Sequence, residues 1–266
     1  MLKQDQALIN DHIALRTFGV DPVSLPTLAK PFIELGYEKG GDYVFESKKL
    51  IAEHYQHPDP KMPKVFISQL QLHLCSNELR NVVLKLVDQI DADKLSGSDF
   101  LHQGRLWDLS YGEYQILASE SEYAAWVAAH GYGANHFTVS VNQLAEYEEV
   151  AEVNGFLKQK GFAINSSGGE VKGSPKVLLE QSSTMADKVD VAFSDAVHSI
   201  PGGFYEFAKR YQDNQGELYH ALWPPRQTRY SRAPTIRHKK PLLSSGFFES
   251  EFGLASTIYH DSLTVS

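Results

Sequence analysis

Cysteine is almost missing from this chain: Cys75 is the one thiol in 266 residues, so no intrachain disulfide framework can form. Positive charge is also in deficit, with 25 Lys and Arg against 33 Asp and Glu and a formal net charge of −8. A general nucleic-acid or anionic-membrane binder needs the opposite field to gather phosphates, so neither partner is expected. No run approaches the roughly 18 apolar residues of a membrane span. The opening Met-Leu-Lys-Gln-Asp-Gln lacks the apolar stretch of a signal peptide, and a reducing cytoplasm is the expected location. No Gly-x-Ser-x-Gly elbow occurs, and Cys75 lies in a strand-like run that reads as core, which leaves nucleophilic catalysis little support. The pairs Gly40-Gly41, Gly168-Gly169 and Gly202-Gly203 lack the spacing of phosphate loops and read as turns. Apolar residues, by contrast, are plentiful: 42% hydrophobic and 11% aromatic content can fill the core of one large domain or two small ones. A small molecule is the expected partner.

One charge sits awkwardly. In Pro201-Gly-Gly-Phe-Tyr-Glu-Phe-Ala-Lys-Arg210 the carboxylate of Glu206 interrupts an aromatic run, and strand alternation puts Phe204, Glu206 and Ala208 on one face. If that face is enclosed, Glu206 needs a cation, because an unpaired buried ion costs several kcal/mol. Taken alone, the segment favours a buried salt bridge or a wet edge strand over a ligand site.

Two further stretches favour a metal. Asn10 to Gly19 alternates so that His12, Ala14 and Arg16 share a face, and Gly133 to Asn142 does the same for His136, Thr138, Ser140 and Asn142. A helix is expected after each, over Leu25–Leu35 ended by Gly36 and over Glu146–Lys160 ended by Gly161. Strands are expected within 42–57, over 64–74, and at Lys176–Gln181, Val189–Phe193 and Phe204–Ala208. The interval from His12 to Gly36 nearly equals that from His136 to Gly161, and Asp11-His12-Ile13 matches Asn135-His136-Phe137, as in an internal duplication. About a pseudo-twofold axis the two histidines meet on the enclosed face, and Glu206 completes a two-histidine, one-carboxylate set of the kind that holds non-haem Fe(II) with three positions open. Aligning Val65–Gln69 with Gly203–Phe207 puts Ser68 at the first-copy counterpart of Glu206, with Gln69 as the choice if the register slips; Ser68 is also a candidate substrate contact. His198, just before the Glu206 strand, is a weaker candidate to support the site.

The three stretches Asn-Asp-His-Ile-Ala-Leu-Arg-Thr-Phe, Ala-Asn-His-Phe-Thr-Val-Ser-Val and Gly-Gly-Phe-Tyr-Glu-Phe-Ala-Lys-Arg together resemble the 2-oxoadipate dioxygenase/decarboxylase family, related to the vicinal oxygen chelate superfamily. The resemblance runs from about residue 10 to the C-terminus. It implies Fe(II) held by His12, His136 and Glu206, with Zn, Ni or another divalent ion able to replace it in a purified sample. It also implies conversion of 2-oxoadipate and dioxygen to 2-hydroxyglutarate and carbon dioxide, a step of lysine catabolism, with Arg16 as both catalytic and substrate-binding residue at the substrate's far carboxylate. The chemistry is consistent with this: a 2-oxo acid chelates through its carboxylate and ketone oxygens and leaves one position for dioxygen.

The expected fold is therefore α+β, with two βαβββ-like modules forming a half-barrel around one metal in a single domain. Module one covers about 8–75, a helical insert about 77–130, module two about 133–212 and a C-terminal segment about 213–266. The helical, charged part of the insert, about 77–121, has no evident function. The basic stretch Arg226–Lys240 reads as a solvated loop or, as the alternative, a positive lid over the site. Two other functions stay open: an isomerase or hydrolase using a different metal on the same scaffold, or a non-catalytic small-molecule binding protein.

Overall fold

The computed structural model describes residues 8–222 apart from Ser96. The basic stretch Arg226–Lys240 and most of the expected C-terminal segment lie outside the described residues. The alternating opening forms strand β1 (Asn10–Phe18), followed by helix α1 (Leu25–Glu34) with Pro26 in its first turn and Gly36 at φ +93° behind it. Strands β2 (Glu38–Phe45), β3 (Leu50–Gln56) and β4 (Lys64–Leu70) complete the first module. The last of these is shorter than expected because Leu72–Leu74 tightens into a 3₁₀ turn.

The insert holds helices α2 (Asn77–Val87), α3 (Tyr111–Glu120) and α4 (Glu122–His130). In α2 the spacing of Leu79, Val82, Val83, Leu86 and Val87 buries all five, and the Ser76 hydroxyl caps the helix by accepting from the Leu79 N–H. Helix α4 is apolar on every side, and Tyr123 through Ala129 are all buried.

The second module contains β5 (Ala134–Ser140), α5 (Val150–Gln159), β6 (Lys172–Ser174), β7 (Leu179–Ser183), β8 (Lys188–Ala192), β9 (Val197–Pro201) and β10 (Phe204–Arg210). Helix α5 begins four residues later than expected, where Glu149 and Glu152 form a reciprocal cap. The strand expected from Lys176 begins at Leu179, because Pro175–Val177 is a 3₁₀ turn and Leu178 is left-handed at φ 63°. Strands β6 and β9 were not anticipated, and β8 pairs with β9 in a separate two-stranded sheet.

The remaining eight strands form one sheet in the order β2-β3-β4-β1-β5-β10-β7-β6. Each half has the same arrangement: β1 runs parallel to β4 as β5 does to β10, and the outer strands are antiparallel. The halves join antiparallel at β1 and β5. The two opening strands thus lie side by side about the pseudo-twofold axis that the duplication implies, which itself allows them to be either adjacent or facing. Behind the second half, α5 buries Val150, Val153 and Leu157 against Val139, Val141 and Phe207. The larger apolar cluster joins the first module, the insert and residues Phe193 and Ile200 of the small sheet region.

Candidate metal centre

Cross-strand pairing lines up the polar residues. His12 is opposite Thr138, Thr138 opposite Glu206, and Glu206 opposite Ser183, so four strands contribute to one row. The adjacent row runs His54, Phe66, Ala14, His136, Phe204. His12, His136 and Glu206, all buried, are brought together with one ligand atom from each lying within 4.8 Å of the others. Glu206 Oε2 is 3.5 Å from His12 Nε2, and Oε1 is 3.4 Å from His136 Nε2. Two ligand atoms each about 2.1 Å from a shared ion are separated by roughly 3 to 4 Å, so these spacings fit a divalent metal. Ser183 Oγ, beside Glu206, is buried without a hydrogen-bond partner among the described residues, a polar surplus that a bound ligand would satisfy.

Each histidine is oriented from behind by the residue before it. His12 Nδ1 lies 2.8 Å from Asp11 Oδ1, and His136 Nδ1 lies 3.0 Å from Asn135 Oδ1. With Nδ1 engaged, Nε2 is the atom presented at Glu206. The β1–β5 ladder shifts register twice, and the extra residues at the shifts are Asp11 and Asn135. Bulges re-aim side chains, so these two residues serve a face that strict alternation would deny them. Thr138 Oγ1 donates to Glu206 Oε2 at 3.1 Å and lies 3.0 Å from His12 Nε2. Arg210 grips Asp11 through two bonds, Nε to Oδ2 at 2.6 Å and Nη2 to Oδ1 at 2.8 Å, and donates from Nη1 to the Tyr219 and Ala221 carbonyls.

Electrostatics follow from this packing. Burial pushes the Asp11 carboxyl up, but Arg210 and His12 hold it well below the usual carboxylate range. Burial opposes protonation of His12, yet Asp11 and Glu206 raise its pKa on balance. Glu206 is likewise lowered overall, because His136, His12 and Thr138 outweigh its desolvation. These shifts all favour positive charge beside the Glu206 carboxylate.

The other expected residues fall as follows. Arg16 is buried on the His12 face, opposite Ser68. The first-copy counterpart of Glu206 is Phe66, not Ser68: Glu206 pairs with the residue two past His136, and Phe66 pairs with Ala14, two past His12. That position is a non-ligand, as anticipated, but the alignment was out by two residues. Ser68 Oγ bonds the Leu15 carbonyl and Tyr123 hydroxyl, while Gln69 caps α1 by accepting from the Leu25 N–H. His198 does not support the site; it lies in β9 and stacks on Tyr111 with ring centroids 3.5 Å apart. Asp11, Asn135, Thr138 and Arg210 were missed as site residues, although the repeated Asp-His and Asn-His pairs were visible in the sequence.

Known proteins similar to this chain fall in one family and share its fold. Residues 2–247 match the model of the 2-oxoadipate dioxygenase/decarboxylase family. The chain is 36% identical over 221 residues to an Arabidopsis thaliana protein named 2-oxoadipate dioxygenase/decarboxylase, chloroplastic, covering 77% of this chain. It spans about 60% of the length of the curated relatives it matches. Among solved structures, a Shewanella frigidimarina protein named provisionally as a hydrolase is 57% identical, with a TM-score of 0.80 over 82% of this chain and 86% of that one. The Oryza sativa hydroxyglutarate synthase, solved with 2-oxoadipate, is 34% identical, with a TM-score of 0.74 over 78% and 71%. A glyoxalase-superfamily structure from Ralstonia eutropha, 20% identical with a TM-score of 0.67 over 81% and 75%, shares the fold.

Proposed function

This chain belongs to the 2-oxoadipate dioxygenase/decarboxylase family, and from that premise we propose that it is a single-domain Fe(II)-dependent enzyme that converts 2-oxoadipate and dioxygen to 2-hydroxyglutarate and carbon dioxide. The observation that carries the reading is the buried cluster of His12, His136 and Glu206, with ligand atoms spaced for one divalent ion. When bound there, Fe(II) supplies chelation of the 2-oxo acid and activation of dioxygen. The balance closes without a second organic substrate: the substrate's C1 carboxylate leaves as carbon dioxide with its own two oxygens, and of the two atoms of dioxygen one ends in the new carboxylate at the former ketone carbon and one in the hydroxyl.

The chain's own residues bind, orient and exclude water. Asp11 and Asn135 fix the two imidazole rings so that Nε2 faces the ion, and Thr138 holds the Glu206 carboxylate. Arg16 is four residues beyond His12 on the same face, roughly 13 Å along a strand at about 3.3 Å per residue. Its guanidinium reaches back to pair with the substrate's distal carboxylate, a bidentate contact that lysine would make poorly. Among the described residues no helix is long and apolar enough to cross a membrane, and a cytoplasmic site of action is part of the proposal.

The test is anaerobic reconstitution with Fe(II) followed by oxygen uptake across a panel of 2-oxo acids. Uptake with 2-oxoadipate and release of one carbon dioxide per dioxygen support the reading. Metal binding without oxygen use would move the chain to the alternative of an isomerase or hydrolase using a different metal; a hydrolase is what its Shewanella relative is provisionally named. Alanine at His12, His136 or Glu206 should abolish stoichiometric metal in a folded protein; full metal content in all three variants would sink the site.

A further inference from the structure

We infer that α4 of the insert is the specificity element of this site, with Tyr123 and Trp126 forming an aromatic box that pins the Arg16 guanidinium and thereby fixes the length of dicarboxylate accepted. The inference rests on the proposed function and deepens it. The Arg16 guanidinium carbon lies 5.1 Å from the centre of the Tyr123 ring and 5.3 Å from that of Trp126. Both are within cation–π range, and a guanidinium against two rings loses the freedom that four side-chain torsions would otherwise give it.

The rings themselves are held. The Tyr123 hydroxyl accepts from the Thr17 N–H at 3.0 Å, lies 3.0 Å from Ser68 Oγ and is 2.7 Å from the Ser68 carbonyl, which ties it to β1, the strand of Arg16, and to the neighbouring β4. Trp126 Nε1 donates to the Gly202 carbonyl at 3.0 Å, and one turn further on His130 Nε2 bonds the Pro201 carbonyl at 2.9 Å. Those carbonyls belong to the segment leading into β10, the strand that carries Glu206. Helix α4 therefore bridges the strand of Arg16 and the lead-in to the strand of the metal-binding carboxylate. The gap between metal and guanidinium is set by this brace and not by an exposed arginine finding its own position. A substrate one methylene shorter or longer than the gap cannot be met by a swing of the arginine, so chain length is read as fit. Tyr123 and Trp126 act through Arg16, which makes them positioning residues.

The experiment compares wild type with Trp126→Leu and Trp126→Phe, each alone and combined with Arg16→Ala. It measures kcat and KM for 2-oxo dicarboxylates of five, six and seven carbons and for a 2-oxo monocarboxylate of the same length as the preferred substrate. In Trp126→Leu we expect KM for the preferred dicarboxylate to rise roughly tenfold, the order of a desolvated cation–π contact, and the length preference to flatten. Metal content and KM for the monocarboxylate should stay unchanged. Trp126→Phe, which keeps a ring and loses the Gly202 bond, should shift the same way by about threefold, and it serves if the leucine variant does not fold. In the Arg16→Ala background neither change should alter length preference further, because the coupled partner is gone. Equal losses on all substrates, or unchanged length preference in both variants, overturns the box. Titration of wild type with glutarate, adipate, pimelate and hexanoate separates this from the functional reading. Length-selective dicarboxylate binding without oxygen uptake would sink the dioxygenase while leaving the box, and no selectivity would sink the box.

Discussion

At the scale of single residues, the device that most shapes the site is the side chain standing one place before each histidine. Asn135 is buried and its oxygen orients His136. Replacing it with alanine should lower metal affinity by about 10–100-fold with little change in fold. Metal titration of the purified apoprotein reads this directly. A period-two pattern sends neighbouring side chains to opposite faces, so Asp11 and Asn135 read from sequence as facing away from the histidines they serve. Only the bulges reveal the arrangement, and nothing local in Asp-His or Asn-His announces a bulge. Glu206 was the opposite case: a lone carboxylate in an aromatic run is conspicuous because its burial is expensive.

His54 permits a pH test away from the ligands. Burial is the main cause of its pKa falling from 6.5 to about 4, helped by Lys64 and Arg210, and its Nδ1 lies 2.8 Å from the Tyr43 hydroxyl. Because the folded form resists the proton that the unfolded chain accepts, the unfolded state binds more protons between these values. The His54 contribution is therefore fully present above pH 6.5 and lost as pH falls to about 4. His130 is shifted downward as well, chiefly by burial, and acts in the same direction. Urea midpoints of the apoprotein at pH 7 and pH 4.5 should differ, and His54→Gln should shrink that difference. An unchanged difference would mean that His54 is protonated in the native state.

Among elements, β10 enters the sheet through a close backbone approach. A Cβ built on Gly203 would sit 2.8 Å from the Asn135 carbonyl oxygen, a backbone atom with no room to yield. Gly203→Ala should push the start of β10 away from β5, costing about 1–3 kcal/mol in urea unfolding and weakening metal binding through both Asn135 and Glu206. A variant with wild-type stability would show that the strand can move freely. The Gly202-Gly203 pair was legible as a turn, but its reason is close approach between strands, which depends on a partner some 70 residues away that local spacing does not name. Long periodic elements such as α2 were readable because five apolar positions repeat on one face. Strand β6 is three residues long with a glycine at its centre, and β9 ends on a proline, so neither carries an alternation to detect. The insert offered no function in the sequence because its role lies in what α4 covers.

For the whole molecule, the duplication was the most informative feature, since it selected two histidines out of 11 and required their strands to be adjacent or facing; the structure makes them adjacent. It misplaced the counterpart of Glu206 by two residues, at Ser68 instead of Phe66, because short segments can be aligned without knowing their pairing register. Removing metal should destabilise the fold: an ion at 100 times its dissociation constant stabilises by about 2.7 kcal/mol. For a chain of this size a shift of roughly 2–4 °C per kcal/mol is expected, so chelation should lower the melting temperature by several degrees. An unchanged melting temperature would argue that the cluster holds no ion under those conditions.

The seam between β1 and β5 also sets an order of events in time. His12 and Thr138, which face each other across it, are 126 residues apart in the chain. A ribosome releases His12 long before Glu206 has been synthesised, and within the first module this histidine has Phe66 where the second module has its carboxylate. An ion that meets the emerging chain therefore finds one ligand and no cage. On the proposed reading, metal capture waits until the second module has docked, because only then are His12, His136 and Glu206 brought together.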